Sequence, residues 1–356
     1  MRTLLAVVIV LAAFPASVGA STPGPGRARE YWFDQWHVAQ LWGSGARGQG
    51  ITIAEIDTGV NARLPELRGR ILPGIDLGPT GGDGRTDRDR DEFGHGTAMA
   101  SIAVGRRGSL GVMGLAPGAR VLPVAVPLRG TTDASADDRL PKAIRWSADH
   151  DAKIISMALG EARAQPCPAD EQAAIRYALG KGSVLFASSG NRGRSDSASE
   201  APGACRGVVS VGAVDRFGRV AGFSSRHQYL TMSAPGVDVA SLGRVPGSVY
   251  SGDGTSQATT IAAAVAALVW SKHPGMSGKQ LIAQMLATLD ARRRTHDPAY
   301  GYGTVNAYRA VTAGDDAPTH PSSPGAPLLA AGLLAVVALV LLRGRRAPTR
   351  ASALPG

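Results

Sequence analysis

Apolar residues along this chain gather in short runs rich in Val and Ile: Ile51 to Ile56, Val121 to Val126, Ile154 to Met157, Val184 to Ala187 and Val208 to Val214. Each run lies close to Gly, Pro or Ser. Runs of this length, bounded by turn residues, read as strands buried on both faces. Between them the spacing widens to a helical period over Ala134 to Asp149 and Ala169 to Leu179, the second stretch carrying Ala174, Ile175, Ala178 and Leu179 as its apolar positions. Strand alternating with helix predicts an α/β fold in three layers, a mostly parallel sheet with helices on both faces. Active sites in such sheets gather at the carboxyl ends of the strands.

The two ends carry a different pattern. Residues 1–20 combine one Arg near the start, an apolar run from Leu4 to Phe14, and small residues at Val18 and Ala20. That predicts a secretory signal peptide cleaved after Ala20; a membrane-spanning start would need a longer run. Residues 326–342 lack any polar side chain and are followed by Arg343, Arg345 and Arg346. At ~1.5 Å per residue they reach about 26 Å, enough for one C-terminal transmembrane helix in a locally thinned bilayer. Residues 343–356 then form a basic cytoplasmic tail, and residues 313–325, rich in Pro, Ser and Asp, a linker. The expected protein is a single-pass protein of the cell membrane, with residues 21–50 as an N-terminal extension and residues 51–312 as an extracytoplasmic domain large enough for one core.

The formal charge of +10 does not indicate nucleic acid, because the arginines are scattered rather than gathered on one face. Two cysteines, Cys167 and Cys205, both fall in the exported part. In an oxidising compartment the default for such a pair is one disulfide. With so few ligands nearby, no metal or other cofactor is expected. Asp87, Asp89 and Asp91 alternate as in a calcium loop, but interleaved arginines oppose cation binding.

Three short motifs carry chemistry. The first strand, ITIAEIDTGV, presents Asp57 at its end, followed by Thr58 and Gly59; alone, D-T-G equally marks an aspartic protease half-site or a plain turn. His95 stands between two glycines in GHGTAMASIAVG and opens a helix of small residues. Ser256 follows Gly252 and Gly254 in SGDGTSQATTIAAAVAALVW, in the first turn of a helix running to about Trp270. There the backbone N–H is unpaired and the positive end of the helix dipole is near, although an ordinary Ser cap reads the same way. Together the three supply a nucleophile, a base and a carboxylate that orients the base.

D-T-G, G-H-G-T and G-T-S, in the order Asp, His, Ser, resemble the subtilisin-like (peptidase S8) family over nearly all of residues 50–312. The resemblance implies a serine endopeptidase with Asp57, His95 and Ser256 as catalytic triad. It further implies that Asn191 of ASSGN donates its amide to an oxyanion hole. Met157, Ala158, Leu159 and Gly160 would line the substrate cleft with Ala187, Ser188, Ser189 and Gly190, whose small side chains suggest room for an apolar group. The chain departs from the family pattern where Thr260 takes the place of a proline.

A second resemblance is to the mycosins, membrane-tethered subtilisin-like proteases associated with type VII secretion. Signal peptide, catalytic domain, single C-terminal span and the placing of Cys167 and Cys205 carry it; the N-terminal cysteine pair of many mycosins is absent. It implies a protein or peptide substrate, a type VII secretion membrane complex as partner, and contact with the lipid bilayer through residues 326–342. A structural scaffold with dispensable cleavage, or a general surface protease, shares the same residues. Residues 21–50 are too few for a folded pro-domain. With Trp32, Trp36 and Ala39 at helical spacing and Trp42 beyond, they read as a permanent extension, a short activation peptide being the alternative.

Overall fold

The Val- and Ile-rich runs assemble into one sheet in the computed structural model, which describes residues 29–127, 139–163, 167–194, 199–291, 293 and 295–314. The expected signal peptide, the transmembrane helix over 326–342, the basic tail and nearly all of the linker lie outside the described residues. No helix among the described residues is long and apolar enough to cross a membrane.

Two short helices open the chain, α1 (Trp32–Gln35) and α2 (Val38–Gly43). They lead into β1 (Thr52–Asp57), β2 (Ile75–Asp76), α3 (His95–Val104), β3 (Arg120–Ala125), α4 (Arg139–Asp149) and β4 (Ile154–Met157). The first five residues of the expected Ala134–Asp149 helix are outside the described set. Next come β5 (Glu161–Arg163), α5 (Ala169–Gly180), β6 (Val184–Ser188), β7 (Ser199–Ala201), β8 (Val208–Val214) and β9 (Met232–Pro235). The chain continues with β10 (Val239–Leu242), β11 (Val249–Gly252), α6 (Thr255–Lys272), α7 (Gly278–Ala287) and α8 (Ala307–Thr312).

Seven strands form the main sheet in the order β2-β3-β1-β4-β6-β8-β9, and every pairing in it is parallel. The chain passes from β1 to the edge strand β2, comes back to β3 beside β1, and then crosses to the other side of β1 at β4. That reversal opens a crevice at the carboxyl ends of β1 and β4, where open α/β sheets bind ligands.

Strand alternation divides the core. Ile53, Phe186 and Val211 face the layer of α3 and α6, while Ala54, Ile56, Ile155 and Leu185 face α4 and α5. Helix α6 is apolar almost all round and buried from Ala258 to Trp270, as a helix through the middle of a layer must be. On α5, Ala174, Ile175 and Ala178 are buried but Leu179 is exposed, because the inward stripe is narrower than the period suggests. The N-terminal segment is not one helix: His37 adopts a left-handed backbone, φ 47°, between α1 and α2. The break turns Ala39 outward and puts Val38 and Leu41 beside Trp32 and Trp36 in the core.

Candidate active site

Asp57 ends β1 at the crevice and is fully buried. Its carboxylate accepts a hydrogen bond from Thr58 N at 2.7 Å and holds His95 Nδ1 at 2.8 and 2.9 Å from its two oxygens. The D-T-G and G-H-G backbones touch: a Cβ at Gly96 would collide with the Gly59 carbonyl, so only glycine lets α3 start against β1. Thr58 Oγ1 fixes that approach by accepting from Gly96 N at 2.9 Å.

Acidic side chains hold the histidine loop. Asp89 accepts the His95 backbone N–H at 2.7 Å. Asp87 accepts from Thr58 Oγ1 and from both the backbone and hydroxyl of Thr97, and Asp91 accepts from Phe93 N. The alternating aspartates thus fold the loop onto itself and cap the start of α3. Burial alone would lower the His95 pKa, but the charge and hydrogen bond of Asp57, with Asp89 and Asp87 behind, raise it above the ordinary histidine value.

Ser256 stands in the first turn of α6, where its N–H has no helical acceptor. Its hydroxyl donates to the carbonyl oxygen of Ala158, just past β4, at 2.6 Å. Asn191 follows β6 and is exposed. Its Oδ1 accepts from both N and Oγ1 of Thr255, each at 2.9 Å, which leaves the Nδ2 donors for a ligand beside Ser256. Thr260, in the position of the family's proline, keeps α6 regular, and its hydroxyl donates to Ser256 O at 3.1 Å.

The expected cleft residues divide by strand alternation. Met157 and Ala187 send their side chains into the α4 and α5 layer and so offer only backbone to a cleft, while Leu159 is half-buried against that layer. Ala158, Gly160, Ser188, Ser189 and Gly190 form the rest of the two segments that flank Ser256 and Asn191. Cys167 and Cys205 are joined by a disulfide next to the paired strands β5 and β7.

Two of the buried carboxyls that the expectation left out bear on the site. Glu55, two residues before Asp57 in β1, is 2% exposed, and its Oε1 lacks a hydrogen-bond partner. Burial, then repulsion from Asp57 and Asp87, pushes its pKa well above the usual carboxylate range. The sequence carries a signal for it, an acid in the middle of an apolar strand. Glu200, in β7, lies against Gly160 and Gly190; nothing in its local sequence marks it out.

The model of the Peptidase_S8 subtilase family matches residues 48–303. The chain is 33% identical over 285 residues to the thermophilic serine proteinase of Bacillus sp. (strain AK1), a match covering 78% of this chain but only 64% of that protein. Thermitase of Thermoactinomyces vulgaris is 32% identical over 289 residues, 80% of this chain and 96% of that one. Among solved structures, the MycP3 protease from the type VII (ESX-3) secretion system superposes with a TM-score of 0.71 at 27% identity, over 83% of this chain and 90% of that chain.

Proposed function

Since the chain belongs to the peptidase S8 (subtilase) family and is a serine endopeptidase, we propose that it cleaves proteins through Asp57, His95 and Ser256 at the outer face of a cell membrane, in association with type VII secretion. The observation that carries the catalytic part is the Asp57 carboxylate on His95 Nδ1. A proton held there leaves Nε2 as the basic nitrogen, and Nε2 has no hydrogen bond among the described residues.

In this reading a substrate carbonyl seats over α6, and the Ser256 hydroxyl rotates from Ala158 O to His95 Nε2. His95 takes the proton as Oγ attacks the carbonyl carbon, and Asp57 stabilises the imidazolium. Negative charge on the carbonyl oxygen falls to the Ser256 N–H and Asn191 Nδ2, donors of a kind worth about 10² to 10³ in kcat. His95 returns the proton to the leaving amine, and water releases the acyl group by the same steps. The apolar segments at residues 1–20 and 326–342 support the membrane location, and the likeness to MycP3 supports the link to secretion.

Labelling of the full chain by a fluorophosphonate tests the nucleophile. Wild type is expected to label, Ser256→Ala not at all, and His95→Ala at least about 10²-fold more slowly. Equal labelling of wild type and Ser256→Ala would sink the assignment.

A further inference from the structure

We infer that Glu200 makes this a protease selective for arginine or lysine immediately before the scissile bond. The inference rests on the roles given above to Ser256 and Asn191. With the carbonyl carbon at Ser256 Oγ and its oxygen at Asn191 Nδ2, the residue on the acyl side places its side chain between the segments that position those atoms. One segment runs from Ala158, which touches Ser256, to Gly160. The other runs from Ser188 to Gly190, directly before Asn191.

The Glu200 carboxylate closes the space between them. A Cβ built on Gly160 would lie 3.3 Å from Oε2, and one on Gly190 would lie 2.6 Å from Oε1. Both walls are therefore glycine where they meet the acid, and a side chain on Gly190 would seal it off. β7 is held in register by its antiparallel pairing with β5 and by the Tyr229 hydroxyl, which accepts from Glu200 N at 2.8 Å. The Cys167–Cys205 disulfide ties the same two strands together just beyond their ends. The acid thus sits on a braced floor rather than on a loose loop.

An apolar side chain entering this space would set hydrocarbon against a buried carboxylate without supplying donors or opposite charge. A guanidinium or ammonium supplies both charge and donors. The chain already places a cation there: Arg192 Nε stands 3.5 Å from Glu200 Oε1, with the arginine side chain 56% exposed and that of the glutamate 4% exposed. A substrate arginine exchanges with Arg192, whose side chain is 56% exposed. The small residues of the walls, which suggested an apolar pocket, instead provide a passage to a charged floor.

The test uses the full chain and peptide 4-nitroanilides differing only in the residue before the scissile bond: arginine, lysine, norleucine or phenylalanine. Arginine and lysine are expected to exceed norleucine in kcat/KM by at least about tenfold, and Glu200→Gln to lower the arginine-to-norleucine ratio by about 10²-fold. Wild type that favours norleucine or phenylalanine, or a ratio unmoved by Glu200→Gln, overturns the inference. Benzamidine binding needs no turnover. It is expected on the Ser256→Ala chain and is expected to weaken at least about tenfold in Ser256→Ala/Glu200→Gln; no binding to Ser256→Ala, or equal binding to both, overturns the inference as well. Because wild-type selectivity and the Ser256→Ala measurement do not depend on how the Glu200 variant folds, misfolding of that variant cannot mask the answer. Failure of fluorophosphonate labelling with benzamidine still bound would strike the nucleophile assignment and leave Glu200 standing; labelling without arginine preference would do the reverse.

Discussion

At the scale of single residues, the site is an arrangement of acids around one imidazole. Asp57 is buried yet engaged on both oxygens, whereas Glu55 is buried with Oε1 unpartnered and beside a strand neighbour, Ser156, whose Oγ is equally unpartnered. Burial, then repulsion from Asp57 and Asp87, favours the protonated form of that carboxyl in the folded protein. The unfolded chain releases its proton above about pH 4.3, so the stability contributed by Glu55 is fully present below that pH and lost as pH rises toward the folded value. Glu55→Gln is neutral in both states. In a Ser256→Ala background, which prevents self-digestion, its urea midpoint is expected to match the parent near about pH 4 and to exceed it increasingly as pH rises toward the folded value. Parallel curves would show that Glu55 does not titrate on unfolding. Asp57, His95 and Ser256 were legible in the sequence because each sits in a short glycine-bearing motif whose order has chemical meaning. Glu200 was not, because its importance comes from two glycines that precede it by 40 and 10 positions and meet it only in the fold.

Among the elements, the central strands and the long helices could be read from the chain because burial on both faces leaves unbroken apolar runs. Strands β1, β3, β4, β6 and β8 and helix α6 fall within a residue or two of their expected limits. β2 and β9 at the sheet edges are short, and the antiparallel pairs β5-β7 and β10-β11 form between segments too brief to show a period. The β5-β7 pair depends on long-range contacts, and the Cys167–Cys205 bond across a separation of 38 residues is the strongest of them. In the chain-entropy model closing a loop of that length stabilises by about 3 to 4 kcal/mol. Replacing both cysteines by serine is expected to lower stability by that order in denaturant unfolding. It is also expected to loosen the floor carrying Glu200, so that arginine selectivity declines before fluorophosphonate labelling does. If stability falls while selectivity holds, β7 is positioned by the sheet and Tyr229 alone.

For the whole molecule, the question is which parts of the precursor remain in the working enzyme. The segment before β1 is tied to distant regions: Tyr31, Trp32, Phe33, Trp36, Val38 and Leu41 are buried in the core that includes α3 and α6. Trp42 Nε1 donates to Leu115 O at 3.0 Å, Gln35 Nε2 to Arg216 O at 3.1 Å, and Gly48 N to Ser271 Oγ at 2.9 Å. Full burial of a large apolar side chain stabilises by about 1.5 to 3 kcal/mol. Losing several at once would therefore consume most of the roughly 5 to 15 kcal/mol by which a domain is stable. An activation peptide, by contrast, must leave without taking the core with it. The extension is thus expected to stay: N-terminal sequencing of active mature protein should give a first residue before Tyr31, and a chain lacking residues 21–43 should fail to give soluble, cooperatively unfolding protein. Active protein beginning at or beyond Ile51 would mean that the remaining core closes over the vacated surface, and that residues 21–50 serve as a folding aid removed on activation.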